Sequence, residues 1–359
     1  AGVLLLALLV LSGCQAAAPA AAGTTAEGAS PAQAADLSGI HDYLLGRIAA
    51  LQGSTAALQQ QADRYYELAA ANEFDYAALW ADQQPAVVET LAAARDAWKA
   101  ASPQYEQMEG IVAGAPALAA YDVILDAGAS GEDDPANAAP IDLQLPDGRT
   151  LLKPGNLFGV TESTLWGTFA AYTAQGVTAD WDGDGAVGFG ETLPDANVLK
   201  AGADALAEQV NALAEAASAW QPTLSDAFTM LVVMTPTMNE YFASWRDSRF
   251  VSGGASTQRD FVAISRLADM QDILGGLEVV YAQVQPLAEA IDTALAEQAG
   301  TGLTDLRAFV ADVYAQEQAG RKFTPEEADM LGAEAQNRAT AVTGQISQLA
   351  AMLAVPLAE

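Results

Sequence analysis

Residues 257–299 constrain the fold more than any other stretch of this chain. Apolar side chains at Phe261, Ile264, Leu267, Met270, Ile273, Leu274, Leu277, Tyr281 and Val284 recur at three- and four-residue steps, which places them on one broad face of a long helix. A face that wide has to be covered by other helices. The rest of the chain offers them: residues 36–71, with Leu44, Ile48, Leu51, Leu58 and Tyr65 at helical intervals; a helix capped by Asp75 and running to Ala101; and a third opened by Ser102-Pro103 and failing near Gly114. Further helices are expected over 117–126, 161–175, from Asp195 to Ala219, and over 223–250 with an interruption at Pro236. Gly275-Gly276 or Pro286 should kink or divide the long helix, Thr304 should open a shorter one, and Thr324-Pro325-Glu326-Glu327 is a capping box that starts the last helix, to Leu353.

The expected fold is therefore all-α, two packed antiparallel helical bundles. The lobes should span 36–192 and 193–359. Between Gly128 and Gly155 the helical period disappears, and Ile141 to Leu145, a Pro146-Asp147-Gly148 turn and Arg149 to Leu152 predict a small hairpin.

The most specific chemical pattern lies at residues 180–191. Asp180, Asp182, Asp184 and Glu191 occupy positions 1, 3, 5 and 12 of an EF-hand-like loop, with Gly185 at the sharp turn and the Ala186 carbonyl as the backbone ligand. Hard oxygen ligands at that spacing suit Ca2+. Four residues, Gly176 among them, separate the loop from the helix expected before it, and there is a single copy, so a structural ion clamp is the expectation rather than a switch.

Residues 1–14, AGVLLLALLVLSGC, read as the remnant of a signal segment, too short to span a bilayer. Leu11-Ser12-Gly13-Cys14 resembles a bacterial lipobox, and Cys14 is the only cysteine, so lipidation there and an extracytoplasmic, membrane-anchored protein are expected. Residues 15–35, rich in Ala, Gly, Thr, Ser and Pro, read as a disordered tether. With 46 acidic against 15 basic residues the net charge is -31, which argues against nucleic acid as a partner and is compatible with cations.

Little supports an ordinary hydrolase. His41 is the only histidine, and there is no His-Glu-x-x-His spacing and no glycine-rich phosphate loop after a strand. Glu106 and Glu109, three residues apart on one helix face beside Tyr105, form a carboxylate pair of the kind that binds metal inside a bundle. Glu162 falls in the first turn of a helix, where it could simply cap.

Several stretches together resemble the imelysin-like family, to which EfeO-type iron-uptake lipoproteins belong and which was once grouped with peptidases. Tyr105-Glu-Gln-Met-Glu109-Gly is similar to its Tyr-Glu-x-Ile-Glu segment, and Phe158-Gly-Val-Thr-Glu162-Ser-Thr-Leu-Trp166 to its His-x-x-Glu segment. Residues 245–250 and 261–269 resemble its C-terminal helices. The resemblance implies a metal site formed by Glu106, Glu109 and Glu162, with Asp122 matching another acidic position, and a role in acquiring iron or another cation for a membrane transporter. The family histidine falls at position 159, where this chain has Gly159. Without that nitrogen the ligand set is all oxygen and suits a harder ion. The alternative is a non-catalytic surface adaptor that has lost the transition-metal site.

Overall fold

The computed structural model describes residues 35–177 and 179–358; the apolar leader, Cys14 and the tether up to residue 34 lie outside the described residues. Those described are mostly helical, with eight helices of ten residues or more: α1 (Ser38–Ala71), α2 (Tyr76–Val112), α3 (Leu157–Trp166), α4 (Ala196–Ala219), α5 (Leu224–Met234), α6 (Met238–Asp247), α7 (Arg266–Gln318) and α8 (Pro325–Met352).

In α1 the stripe Ile40, Leu44, Ile48, Leu51, Leu58 and Tyr65 is buried as its spacing requires. Asp75 caps α2, its Oδ1 accepting from the Ala77 and Ala78 amides at 3.1 and 3.0 Å. The new helix expected at Ser102-Pro103 does not form, because α2 runs through that proline to Val112. Proline there forfeits one backbone bond, and burial of Ala101, Tyr105 and Met108 around it outweighs the loss. The backbone instead departs from helix at Gln83 (φ −133°, ψ 23°), just before Pro85.

The helix expected over 161–175 is displaced toward the N-terminus. Asn156 caps α3, accepting from the Gly159 amide at 2.6 Å, and Gly167 ends it in the left-handed region at φ +68°. A 3-10 turn, Ala170–Tyr172, follows. Residues 117–126 form only a short turn, Ala119–Asp122, that widens into a π-helical turn, Val123–Ala127. The hairpin is present: β1 (Leu143–Gln144) pairs antiparallel with β2 (Thr150–Leu151), with Gly148 at φ +88° in the turn.

The long helix departs from expectation at both ends and in its middle. It starts at Arg266, capped by Ser265, because Phe261 takes φ +54° and residues 257–265 form a loop. Its division falls at neither Gly275-Gly276 nor Pro286 but at Asp292 (φ −150°, ψ 96°), where the chain folds back on itself. The Tyr281 hydroxyl reaches the Ala296 carbonyl at 2.6 Å, and Arg307 reaches the Gln271 carbonyl at 3.1 Å, so α7 is a hairpin of two antiparallel limbs. Asp292 caps the second limb through the Leu295 amide at 3.0 Å, and no break occurs at Thr304. Gly276 serves contact rather than bending, since a Cβ there would lie 2.4 Å from the Gln107 carbonyl of α2.

α1 packs against α2 and α4, α7 against α2 and α8, and α8 also covers α6. The capping box at Thr324 and Glu327 starts α8 as its sequence predicts. Buried apolar residues form one continuous core from Leu37 to Val355. None of the described helices is long and apolar enough to cross a membrane.

Candidate functional site: a buried carboxylate chamber

Five elements converge where α2 ends. The last turns of α2 carry Tyr105, Glu106 and Glu109; the short turns after it carry Asp122 and Asp126; α3 brings Gly159 and Glu162, α6 brings Tyr241, and the start of α7 brings Arg266 and Asp269. One oxygen each from Glu106, Glu109 and Asp126 lies within 4.8 Å of the others. All three residues are at most 5% exposed.

Glu106 and Glu109 thus meet as the sequence suggested, but the third member of the trio is Asp126. Asp122 stands beside it, accepting from the Tyr105 hydroxyl at 2.7 Å. Glu162 is engaged elsewhere: its carboxylate accepts the amides of Phe261, Val262 and Ala263 at 2.6, 2.9 and 2.7 Å. It fixes the loop ahead of α7, and with those amides occupied it has little left for an ion.

Five buried acids, Glu106, Glu109, Asp122, Asp126 and Asp269, share this chamber with one guanidinium. Arg266 lies 2.9 Å from Asp269 and 3.8 Å from Glu106, with its charge stacked 3.7 Å over the Phe261 ring and 4.5 Å from that of Tyr241. Burial opposes the Arg266 charge, but Asp269 and Glu106 outweigh it and hold the proton more tightly than usual. Burial, and then the Asp269 and Asp126 charges, push Glu106 well above the ordinary carboxyl range; burial and Glu109 do the same to Asp126. Asp122 is pushed up to about 7 and Asp269 to about 6, in each case chiefly by burial. Glu162 rises to about 8 for the same reason, against the pull of its three amides.

The Tyr241 hydroxyl donates to Glu109 Oε1, while Glu109 Oε2 and Glu106 Oε2 are buried without any hydrogen-bond partner among the described residues. A buried oxygen left in that state is costly, and a cation seated between the three carboxylates would satisfy both. Every donor is oxygen, so the set fits a hard ion and not a thiophilic one. A cavity of about 680 Å³ opens onto the chamber, lined among others by Glu109, Asp122, Asp126, Gly159, Tyr241 and Asp260. At Gly159 a side chain has little room: a Cβ would lie 2.9 Å from Asp260 Oδ2 and 3.0 Å from Asn156 Oδ1.

The second acidic group is exposed. Oxygens of Asp180, Asp182 and Asp184 lie within 4.8 Å of one another, and Asp180 accepts the Gly183 and Gly185 amides at 2.7 and 2.8 Å. Ala186 donates its amide to Asp184 at 2.7 Å. Glu191 stands apart from that trio, accepting the amides of Gly188, Trp181 and Asp182, which hold its carboxyl below the usual range. Helices do not flank the loop directly, since α3 has ended at Trp166 and α4 begins only at Ala196. Arg95 of α2 secures it, donating to the Leu165 and Gly190 carbonyls and stacking 3.9 Å from the Trp181 ring.

Asp126, Tyr241, Arg266 and Asp269 are the site residues that sequence reasoning did not single out. Asp122 and Asp126 carried a signal in their four-residue spacing. Tyr241 carried none, being 132 residues from the Glu109 it binds.

No curated protein matches the chain. A family model described as imelysin, Peptidase_M75, matches residues 40–349, which takes in every helix of the chamber, and the chain therefore belongs to the imelysin family.

Proposed function

We propose that this protein captures hard metal ions outside the cytoplasm, holding them between Glu106, Glu109 and Asp126, and serves the acquisition of iron or a similar cation. The observation that carries this reading is the pair of buried, unpartnered oxygens, Glu106 Oε2 and Glu109 Oε2, facing a third carboxylate. Ferric iron, as a hard trivalent ion, suits three carboxylates that Arg266 only partly neutralises. The adjoining cavity gives the ion access from solvent and leaves room for the rest of its shell.

Binding displaces protons, because burial keeps several of these acids protonated in the free protein. Calorimetry in buffers of different ionisation enthalpy measures that release, and affinity should rise with pH. Replacing Glu106, Glu109 and Asp126 together by Gln, Gln and Asn should abolish binding of Fe3+; undiminished binding would place the site elsewhere.

The anchor belongs to the same proposal. Lipidation at Cys14 would hold the protein at the outer face of a membrane, near a transporter that receives the ion. Detergent partitioning of the cell-expressed protein, with and without Cys14→Ser, tests the anchor. A Ca2+ ion at residues 180–191 would act structurally, held by Asp180, Asp182 and Asp184, with Glu191 turning from its amides to close the site.

We read the protein as a binder rather than a peptidase, a view supported by the commitment of Glu162 to three backbone amides. Chelator-sensitive cleavage of casein would overturn it. The rival reading, an adaptor that has given up its metal, draws support from Gly159 and from the Arg266 guanidinium already beside Glu106. It predicts that the parent protein binds no Fe3+ or Cu2+.

A further inference from the structure

We infer that Asp260 is a second, outer carboxylate station on the path of the ion, and that Gly159 is there to leave room for it. This rests on the reading of Glu106, Glu109 and Asp126 as the cation site. Asp260 lines the open cavity together with Glu109, Asp122 and Asp126, and also the small inner pocket that Glu106, Asp126 and Asp269 share. It therefore stands where the two spaces meet, but outside the trio whose oxygens lie within 4.8 Å.

Its carboxylate accepts from its own backbone amide, and no guanidinium among the described residues is committed to it. Arg259 pairs with Asp133 at 3.2 Å, and Arg266 with Asp269 at 2.9 Å, so the two nearest guanidiniums have closer partners. Its place is nevertheless fixed, because the three residues after it, Phe261, Val262 and Ala263, are held by the Glu162 carboxylate. Glu162 is on this view a positioning residue. The inner boundary is Gly159, where any Cβ would come within 2.9 Å of Asp260 Oδ2 and 3.3 Å of its Cβ. A carboxylate so placed meets the solvent-side shell of an ion seated in the trio and attracts the ion as it arrives.

Coulomb attraction scales with the charge of the ion, and this separates an electrostatic role from a structural one. Titrations of Mn2+ and La3+ into the parent, Asp260→Asn, Gly159→Ala and Glu106→Gln proteins provide the test. Asp260→Asn should lose about tenfold in affinity for Mn2+ and about thirtyfold for La3+, since the interaction energy rises in proportion to ionic charge. Gly159→Ala, which pushes the carboxylate aside without removing it, should lose affinity in the same order, with its melting temperature near that of the parent. Equal affinities for both ions in the parent, Asp260→Asn and Gly159→Ala proteins would overturn the outer station while leaving the trio intact. A parent that binds neither ion would overturn both readings, and a Glu106→Gln protein that binds like the parent while Asp260→Asn does not would overturn the trio as the cation site and, with it, the place of Asp260 as its outer station.

Discussion

At the scale of single residues, Glu162 shows how one side chain can organise a site it does not enter. Its carboxylate, 1% exposed, satisfies three consecutive amides that no helix or strand supplies with acceptors. Glu162→Ala would leave those amides unpaired, that of Val262 buried and those of Phe261 and Ala263 part-buried, at a cost on the order of 3 kcal/mol. Urea denaturation should show that loss, and cation affinity should fall with it as the loop carrying Asp260 slackens. The sequence announced the acidic residue and its helix but not its partners, about a hundred positions away. What made Glu106 and Glu109 legible was local spacing, whereas Asp126 and Asp269 join them only because separate elements are packed together.

Among the elements, α7 carries the clearest lesson. Its apolar stripe correctly predicted a long, well-covered helix, yet its fold point is Asp292, a capping residue, and not a glycine pair or a proline. Gly276 is needed for the approach of α7 to α2, so Gly276→Ala should destabilise by about 1–3 kcal/mol through overpacking against a backbone carbonyl that cannot swing away. Thermal melts read this directly. The start of α7 falls later than its periodicity predicts for a related reason: periodicity counts Phe261 and Ile264 as helical, but the Glu162 clamp and φ +54° at Phe261 take them out of the helix. The loop at 180–191 makes a separate prediction. If Ca2+ holds it, chelation, or Asp180→Ala together with Glu191→Ala, should lower the melting temperature. Arg95→Ala, which frees the loop from α2, should speed its cleavage by protease.

For the molecule as a whole, the buried acids determine how stability depends on pH. Ordinary carboxyls ionise at 3.8 to 4.5, whereas in the folded protein Asp269 keeps its proton to about 6, Asp122 to about 7 and Glu162 to about 8. Between those limits the folded state binds more protons than the unfolded chain, so stability falls as pH rises. Their contribution is complete below the unfolded values and is lost as pH climbs through about 6 to 8. The metal-free protein should therefore melt higher at pH 5 than at pH 8, and a bound cation should narrow the gap by replacing the protons. Helical composition and family membership were legible at this scale. The side-by-side packing of α4 on α1 was not, since nothing local in either stripe says which partner it meets.

The bond between Glu162 and the loop ahead of α7 also has a consequence for the order in which the protein is made. The two ends are 99 to 101 residues apart, so while the chain emerges from the ribosome Glu162 waits without its donors until Ala263 has appeared. Closing a span that long lags behind the formation of local helix, and the step completes the chamber only after the residues beyond Ala263 have joined the chain. Nascent chains halted before Asp260 should hold α1 and α2 as helix yet leave Glu162 open to water. On the proposed reading, cation capture would then begin only once the start of α7 has joined the helices made before it.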